Sequence, residues 1–291
     1  MANLKEIRNR IASVGSTMQI TSAMKMVSAA KLKKAQDAIT QMRPYAIKLQ
    51  DILSNLSSSL DLSENAYSEN REIKNVLIVG ITSNRGLCGG FNNNVIKQVN
   101  LLINNDYKKA NTKVLCLGKK IKDSFKNSDS YYINSELAEV EDIFSKLTFN
   151  NSSIITNSLM NTFVAGEFDK IIVVYNSFIN AASQDVKAEQ FLPILPPVLA
   201  GSESIGDYIF EPSKEEIVDD LIPKSLKIQF FKGLLDSNAS EHGARMTAMH
   251  KATDNAKEMK KSLTIGYNKA RQAAITSEIL EIVGGAEALK N

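Results

Sequence analysis

The sequence is poor in the residues that most often build catalytic and metal centres. Its two cysteines, Cys88 and Cys116, form neither a CxxC pair nor a disulfide framework, which predicts buried thiols in a reducing compartment. The only histidines, His242 and His250, lack the HExxH spacing of a zinc site, and we expect both on the surface. No Ser/His/Asp grouping or recognisable carboxylate pair is visible. These gaps predict a chain that is not an enzyme by itself and holds no cofactor or metal.

Long apolar runs are also missing. No stretch approaches the roughly 20 apolar residues that a helix needs to span a bilayer. The first residues, MANLKEIRNR, lack the apolar segment of a secretory signal. We therefore expect a protein on the cytoplasmic side, which can still attach to a membrane assembly through another protein.

Charge is distributed unevenly along the chain. The net charge is only +3, yet residues 1–50 carry nine basic and two acidic side chains, and residues 241–271 carry seven and three. The two basic ends are expected to share a partner or a surface. Nucleic acid is one candidate, but Met, Ala, Ser and Val separate the lysines where stacking aromatics would be expected. The pattern favours an acidic protein partner.

A long helix is predicted for residues 1–60. Positions taken alternately three and four residues apart, from Leu4 to Leu60, are mostly apolar and form a heptad seam. Lys25 and Ser28 interrupt this seam in the stretch MKMVSAAKLKKA. Such a stretch is unusual for a helix that only covers a core, because the apolar stripe should continue through it.

A second long helix is predicted for residues 212–288. Its apolar positions, including Met249, Ala256 and Met259, recur mostly at spacings of three and four, and many are alanines. Small residues let two helix axes approach closely. The two terminal helices are therefore predicted to form an antiparallel coiled coil.

Between the helices the pattern changes to short β-branched runs. Each run is continuously apolar, as expected for strands covered on both faces. Plausible helices at 92–105 and 151–165 separate them, so we expect a βαβ sheet of parallel strands in a central Rossmann-like α/β domain, residues 74–200. The predicted strands are NVLIVGI (75–81), TKVLCLG (112–118) and KIIVVYN (170–176).

The loop GITSNRGLCGGFN, residues 80–92, lies where a nucleotide-binding turn would lie, between a strand and a helix. It matches neither GxxxxGK[ST] nor GxGxxG, because Leu87 follows Gly86 and the glycines run GxxGG. A tight turn that uses glycine for positive φ explains the glycines without a ligand. We expect no direct small-molecule substrate here.

Three stretches together resemble the gamma subunits of rotary F-type ATP synthases. They are ITSAMKMVSAAKLKKA near the start, NRGLCGGFN in the middle and YNKARQAAITSEILEIVGGAEAL near the end. The resemblance implies the following fold: an α/β protein with a long antiparallel coiled coil of its terminal helices carrying the central domain. Asn84, where many members have Asp, and Gly243, where a helix former is more usual, are departures. Gly243 is expected to cost about 1 kcal/mol of helix stability relative to Ala.

The resemblance also implies a function, namely a central rotor shaft that couples proton transport to ATP synthesis and performs no chemistry itself. Its implied partners are the alpha and beta subunits, the epsilon subunit and the membrane c-ring, with one copy per complex and no nucleic acid. The implied location is the cytoplasmic face of a bacterial inner membrane, as a peripheral membrane protein.

Family positions suggest which residues meet these partners. Met24, Lys25, Met26 and Val27 would face acidic loops of the beta subunits. Arg271 and Gln272 would form polar contacts with another beta-subunit loop. Tyr208 resembles a position at the rotor foot, near the c-ring and epsilon.

Overall fold

The computed structural model describes residues 4–57, 65–134, 137, 140–194 and 214–288. In sequence, a small α/β segment lies between two long helices, one near each end of the described chain. In chain order the elements are α1 (Leu4–Ser57), β1 (Asn75–Ile81), α2 (Phe91–Leu101), β2 (Asn111–Leu117), α3 (Lys119–Phe125), α4 (Phe149–Val164), β3 (Lys170–Phe178), β4 (Gln184–Leu192) and α5 (Lys214–Ala288).

The chain divides into two compact units. The first contains residues 4–28 of α1 and residues 246–288 of α5. The second contains residues 29–245, and the sheet lies within it.

The two helices of the first unit run antiparallel. Arg8 Nη2 donates a hydrogen bond of 2.8 Å to the Tyr267 hydroxyl. Seven residues later on α1, Gly15 lies against Lys260, whose Nζ is 3.7 Å from where a Cβ on Gly15 would be. Further along, the hydroxyls of Thr21 and Thr253 are 2.8 Å apart. Residue numbers rise on α1 as they fall on α5, so one register holds along the whole pair.

The heptad seam predicted for α1 is confirmed. Every seam position from Leu4 to Leu49 is buried or half-buried, including Lys25 and Ser28. The Ser28 hydroxyl donates to Met24 O at 2.8 Å, so it needs no partner outside its own helix. On α5 one seam assignment is wrong: Met259 is exposed, and the end of the neighbouring Lys260 side chain, its Cε and Nζ, lies beside Gly15.

The second unit is built on a four-stranded sheet in the order β2-β1-β3-β4. The strands β1, β2 and β3 are parallel, as predicted. The sheet is nevertheless mixed, because β4 pairs antiparallel with β3 at the edge. The sequence of β4, QDVKAEQFL, carries charged side chains on a half-exposed face, so it lacks the continuous apolar run that marked the other strands.

Apolar side chains cover both faces of the sheet. On one face, Leu77 and Val173 pack with Phe163 of α4 and Phe230 of α5. On the other face, Ile78 packs among residues of α2 and α3, including Val95, Val99 and Ile121. The predicted fold class, terminal helices with a central Rossmann-like α/β domain, is confirmed.

None of the helices within the described ranges contains an apolar stretch long enough to cross a bilayer. Four of the predicted domain boundaries, at residues 1, 60, 200 and 212, fall outside those ranges. The divisions 1–60, 74–200 and 212–288 therefore remain predictions.

Candidate functional site

The surface predicted to meet the beta subunits, residues 24–27, lies on α1 in the first unit. Met26 is 66% exposed and Val27 is 58% exposed. Met24 and Lys25 are half-buried on the side that faces the seam. Adjacent exposed apolar side chains beside a lysine are typical of a contact surface for another protein. The register places these residues level with residues 247–250 of α5.

The second predicted contact, Arg271 and Gln272, lies on α5, and both residues are exposed. The register places residue 271 level with Leu4, where the described part of α1 begins. Residue 250 is level with Lys25, and Arg271 follows it by 21 residues on the same helix, which corresponds to about 30 Å. The two predicted contacts are therefore separate surfaces on one coiled coil.

Beyond Arg271, α5 exposes a series of large apolar side chains that our sequence reasoning did not single out. Every residue from 275 to 287 is exposed. An exposed apolar series of this length indicates a partner surface. The large members are Ile275, Ile279, Leu280, Ile282 and Val283.

Tyr208, the predicted rotor-foot residue, lies outside the described residues, as does the surrounding segment 206–212.

The β1–α2 loop, residues 82–90, is held by a buried polar cluster. The side-chain oxygen of Asn92 accepts a hydrogen bond from Ser83 N at 2.9 Å and lies 3.0 Å from Ser83 Oγ. The Asn92 amide donates to Cys88 Sγ at 3.2 Å. The backbone φ is +60° at Gly89, as the tight-turn interpretation predicts, and +64° at Leu87, which is not glycine.

Asn84 and Gly118 close the neighbouring corner of the sheet. Asn84 Oδ1 accepts a hydrogen bond of 3.0 Å from Lys119 N at the start of α3. This contact uses only a side-chain oxygen, so Asn serves here as well as Asp would. Gly118 has φ +106°, and a Cβ there would lie 2.2 Å from Thr82 O. Glycine is therefore required at this position.

An ion pair on α5 contacts the β1–α2 loop from the other side. Arg245 Nη1 is 2.6 Å from Glu241 Oε1, and both side chains are buried. Arg245 Nη2 donates to Arg85 O at 3.0 Å and to Gly86 O at 3.3 Å. We did not predict this group, although the i,i+4 spacing of Glu241 and Arg245 is visible in the sequence.

Gly243 lies against the turn between β3 and β4. A Cβ on Gly243 would lie 3.2 Å from the Cα and 3.3 Å from the carbonyl oxygen of Ala181 in this turn. A glycine here lets α5 pack closely against the turn without any shift of its backbone. The expected helix cost of about 1 kcal/mol relative to Ala stays a prediction.

The expectation that both histidines lie on the surface is half wrong. His250 is exposed and pairs with Asp254 at 3.2 Å. His242 is largely buried, and its Nδ1 has no hydrogen-bond partner among the described residues. Burial, and then the positive charges of Arg245 and Lys31, lower the pKa of His242 to about 4. Cys88 and Cys116 are buried thiols that form no disulfide, as predicted.

Comparison with known proteins gives the chain a family. Residues 3–289 match a family model described as ATP synthase. The chain is 62% identical over its full length to the ATP synthase gamma chain of Flavobacterium psychrophilum, and the match covers all of that protein. It is 44% identical to the gamma chain of Geobacter metallireducens, again over the full length of both. The chain belongs to the ATP synthase gamma chain family.

Solved structures agree with this gamma chain assignment. The central stalk and c-ring structure of the Tetrahymena thermophila mitochondrial ATP synthase contains a chain with 25% identity and a TM-score of 0.58. The alignment covers 80% of this chain and 99% of that one. A chain of the Euglena gracilis enzyme shares the fold at 21% identity, with a TM-score of 0.65 and coverage of 98% and 94%. The recognition made from three sequence motifs is confirmed, and so is the function of a central-stalk subunit.

Proposed function

We propose that this chain, as a gamma subunit, is the torque-transmitting shaft of an F-type ATP synthase and is not itself catalytic. In this role it couples proton flow through the membrane sector to ATP synthesis or hydrolysis at the beta subunits. The observation that carries the proposal is full-length similarity to bacterial gamma chains, combined with the antiparallel helix pair of the first unit.

The helix pair suits a shaft because contacts between the two helices hold them in one register. Three contacts, at Arg8, Gly15 and Thr21, tie α1 to α5 at intervals of about two helical turns. The hydroxyl pair of Thr21 and Thr253 lies at the seam, where a single polar contact is known to select one register in coiled coils. Because the two helices resist slipping past each other, torque applied at one end of the pair is transmitted to the other end.

The partners follow from the family. The related structures are titled as containing the central stalk, F1 and the c-ring. The partners of this chain are accordingly the alpha and beta subunits and the c-ring, with epsilon as a further expected partner and one gamma copy per complex. An asymmetric shaft inside a threefold ring meets each beta subunit differently, so a third of a turn exchanges their conformations.

Peripheral attachment at the cytoplasmic face of a bacterial inner membrane is part of the same proposal. The relatives named above are bacterial gamma chains. Tyr208 keeps its proposed role at the rotor foot.

The proposed beta-subunit contacts have matching surface chemistry. Met26 and Val27 are exposed apolar side chains beside Lys25, and Met is flexible enough to make contacts that break and re-form. An acidic loop on a beta subunit would meet the lysine as well as the apolar surface. Arg271 and Gln272 are exposed and offer charge-assisted hydrogen bonds at certain shaft angles only.

A reversible crosslink tests the rotor assignment. With both native cysteines replaced by serine, Val27→Cys would be joined by a disulfide to a cysteine introduced into an acidic beta-subunit loop. Coupled ATP turnover is expected to stop when the link forms and to return on reduction. Unchanged turnover with the link fully formed would show that the chain does not rotate against the beta subunits.

A matched control uses a link inside the shaft. Thr21→Cys and Thr253→Cys place two cysteines where the hydroxyls are 2.8 Å apart on α1 and α5. This disulfide joins two helices of the same subunit and crosses no boundary between rotor and stator. Turnover is expected to continue with the control link formed, so a loss there would point to oxidative damage.

A further inference from the structure

The β1–α2 loop lies at the place where open α/β sheets usually bind a ligand. The strand order reverses at β1, which has β2 on one side and β3 on the other. In such sheets the crevice lies outside the carboxyl ends of the strands at this reversal. Here three backbone carbonyl oxygens, those of Arg85, Gly86 and Asn176, accept hydrogen bonds from α5. The Ser240 hydroxyl donates to Asn176 O at 3.0 Å, at the carboxyl end of β3.

We propose that α5 occupies this crevice in place of a ligand, and that Arg245 is the positioning residue that holds the β1–α2 loop closed over Cys88. The proposal extends beyond the rotor function, because it concerns how the α/β segment keeps its shape. It is independent of which partners the shaft meets.

Arginine suits this position because its planar group carries several donors in a fixed arrangement. One nitrogen binds Glu241, which neutralises the buried charge, and the other reaches two carbonyl oxygens of the loop. A lysine has a single donor centre at the end of a flexible stem and cannot hold all three oxygens in this geometry. The Arg85 carbonyl also accepts from Ser83 Oγ at 2.6 Å, so the loop is held from both sides.

The loop requires such support because its backbone is strained. Leu87 has a positive φ, which is unfavourable for a branched side chain, and this side chain is exposed and so contributes no burial. Cys88 follows directly and is only 1% exposed. Its Sγ is 3.9 Å from Arg85 O, the same oxygen that Arg245 binds. If that carbonyl moves away, the thiol is uncovered.

The test measures how fast each cysteine of the full-length chain reacts with N-ethylmaleimide, with mass spectrometry separating Cys88 from Cys116. The main variant is the double substitution Arg245→Met with Glu241→Gln, which removes the loop contacts without leaving an unpaired buried carboxylate. The loss of one charge-assisted hydrogen bond corresponds to about a tenfold change in the equilibrium between the closed and the open β1–α2 loop. Cys88 is therefore expected to react at least about ten times faster, and Cys116 at an unchanged rate.

Two further variants make the result specific. Glu241→Gln alone leaves Arg245 and both of its loop donors in place, although it removes the carboxylate that neutralises the guanidinium, so Cys88 is expected to react more slowly than in the double variant. Arg245→Lys keeps a positive charge beside Glu241 but loses the planar arrangement of guanidinium donors, so Cys88 is expected to become exposed. If the double substitution does not fold, this variant provides the test. Unchanged Cys88 reactivity in the Arg245 variants, or equal acceleration of both cysteines, would overturn the proposal.

Discussion

Acidification should destabilise the second unit through His242. This side chain lies on α5, with Arg245 on the same helix and Lys31 on α1 as the positive charges that face it. Its buried Nδ1 has no partner among the described residues to stabilise the charged form. Burial and these two cations hold its pKa at about 4, below the ordinary value of 6.5.

The sign follows from proton binding. The unfolded chain takes up a proton on His242 as the pH falls through 6.5, whereas the folded chain does so only near pH 4. Stability is therefore full above pH 6.5 and is lost progressively between pH 6.5 and 4. For this shift, linkage gives a loss of about 2 kcal/mol between pH 7.5 and pH 5. Because solvent partly reaches the ring, the measured loss should be between about 1 and about 2 kcal/mol.

Two measurements check this. The chain has only two histidines, so the ring-proton signals of His242 can be assigned by their loss in His242→Gln, and NMR titration should show them titrating near pH 4. Urea unfolding at pH 7.5 and pH 5 should show that His242→Gln removes most of the pH-dependent loss, while His250→Gln, a change at an exposed site, leaves it. A His242 ring that titrates near 6.5, or an equal effect of the two substitutions, would refute the reasoning.

Three other substitutions separate surface contacts from the fold. Arg271→Ala should impair assembly or coupled ATP turnover while leaving the unfolding midpoint unchanged, because the side chain is exposed; normal ATP synthesis would remove its proposed role. Gly118→Ala should lower the free energy of unfolding by at least about 3 kcal/mol, since it combines a positive φ with a backbone clash. Gly86→Ala, where nothing lies within 4 Å of a Cβ, should change it by less than about 1 kcal/mol. Similar losses at both glycines would contradict this account.

The errors in the sequence predictions have identifiable physical causes. The strand β4 was missed because an edge strand with one half-exposed face carries charges and lacks the apolar continuity of β1, β2 and β3. Met259 was assigned to the seam because Met is apolar, yet a glycine at position 15 makes room for the end of the Lys260 side chain instead. His242 was placed on the surface because the spacing of the histidines gave it no role in a buried metal site. For Met259 and His242, neighbours distant in sequence, Gly15 and Lys31, contributed to the outcome.

The sequence by itself determined the long helices, the three parallel strands and the family. These features rest on periodicity and on motifs, which are local properties of the chain and can be read without knowing what packs against them. Only the tertiary structure decided which residues hold the elements together. Arg245 meets a loop about 160 positions earlier in the chain, and Gly243 meets a turn more than 60 positions earlier. No local sequence pattern predicts such pairs. The free energy of these contacts depends on desolvation and close packing, which arise only when the chain has folded.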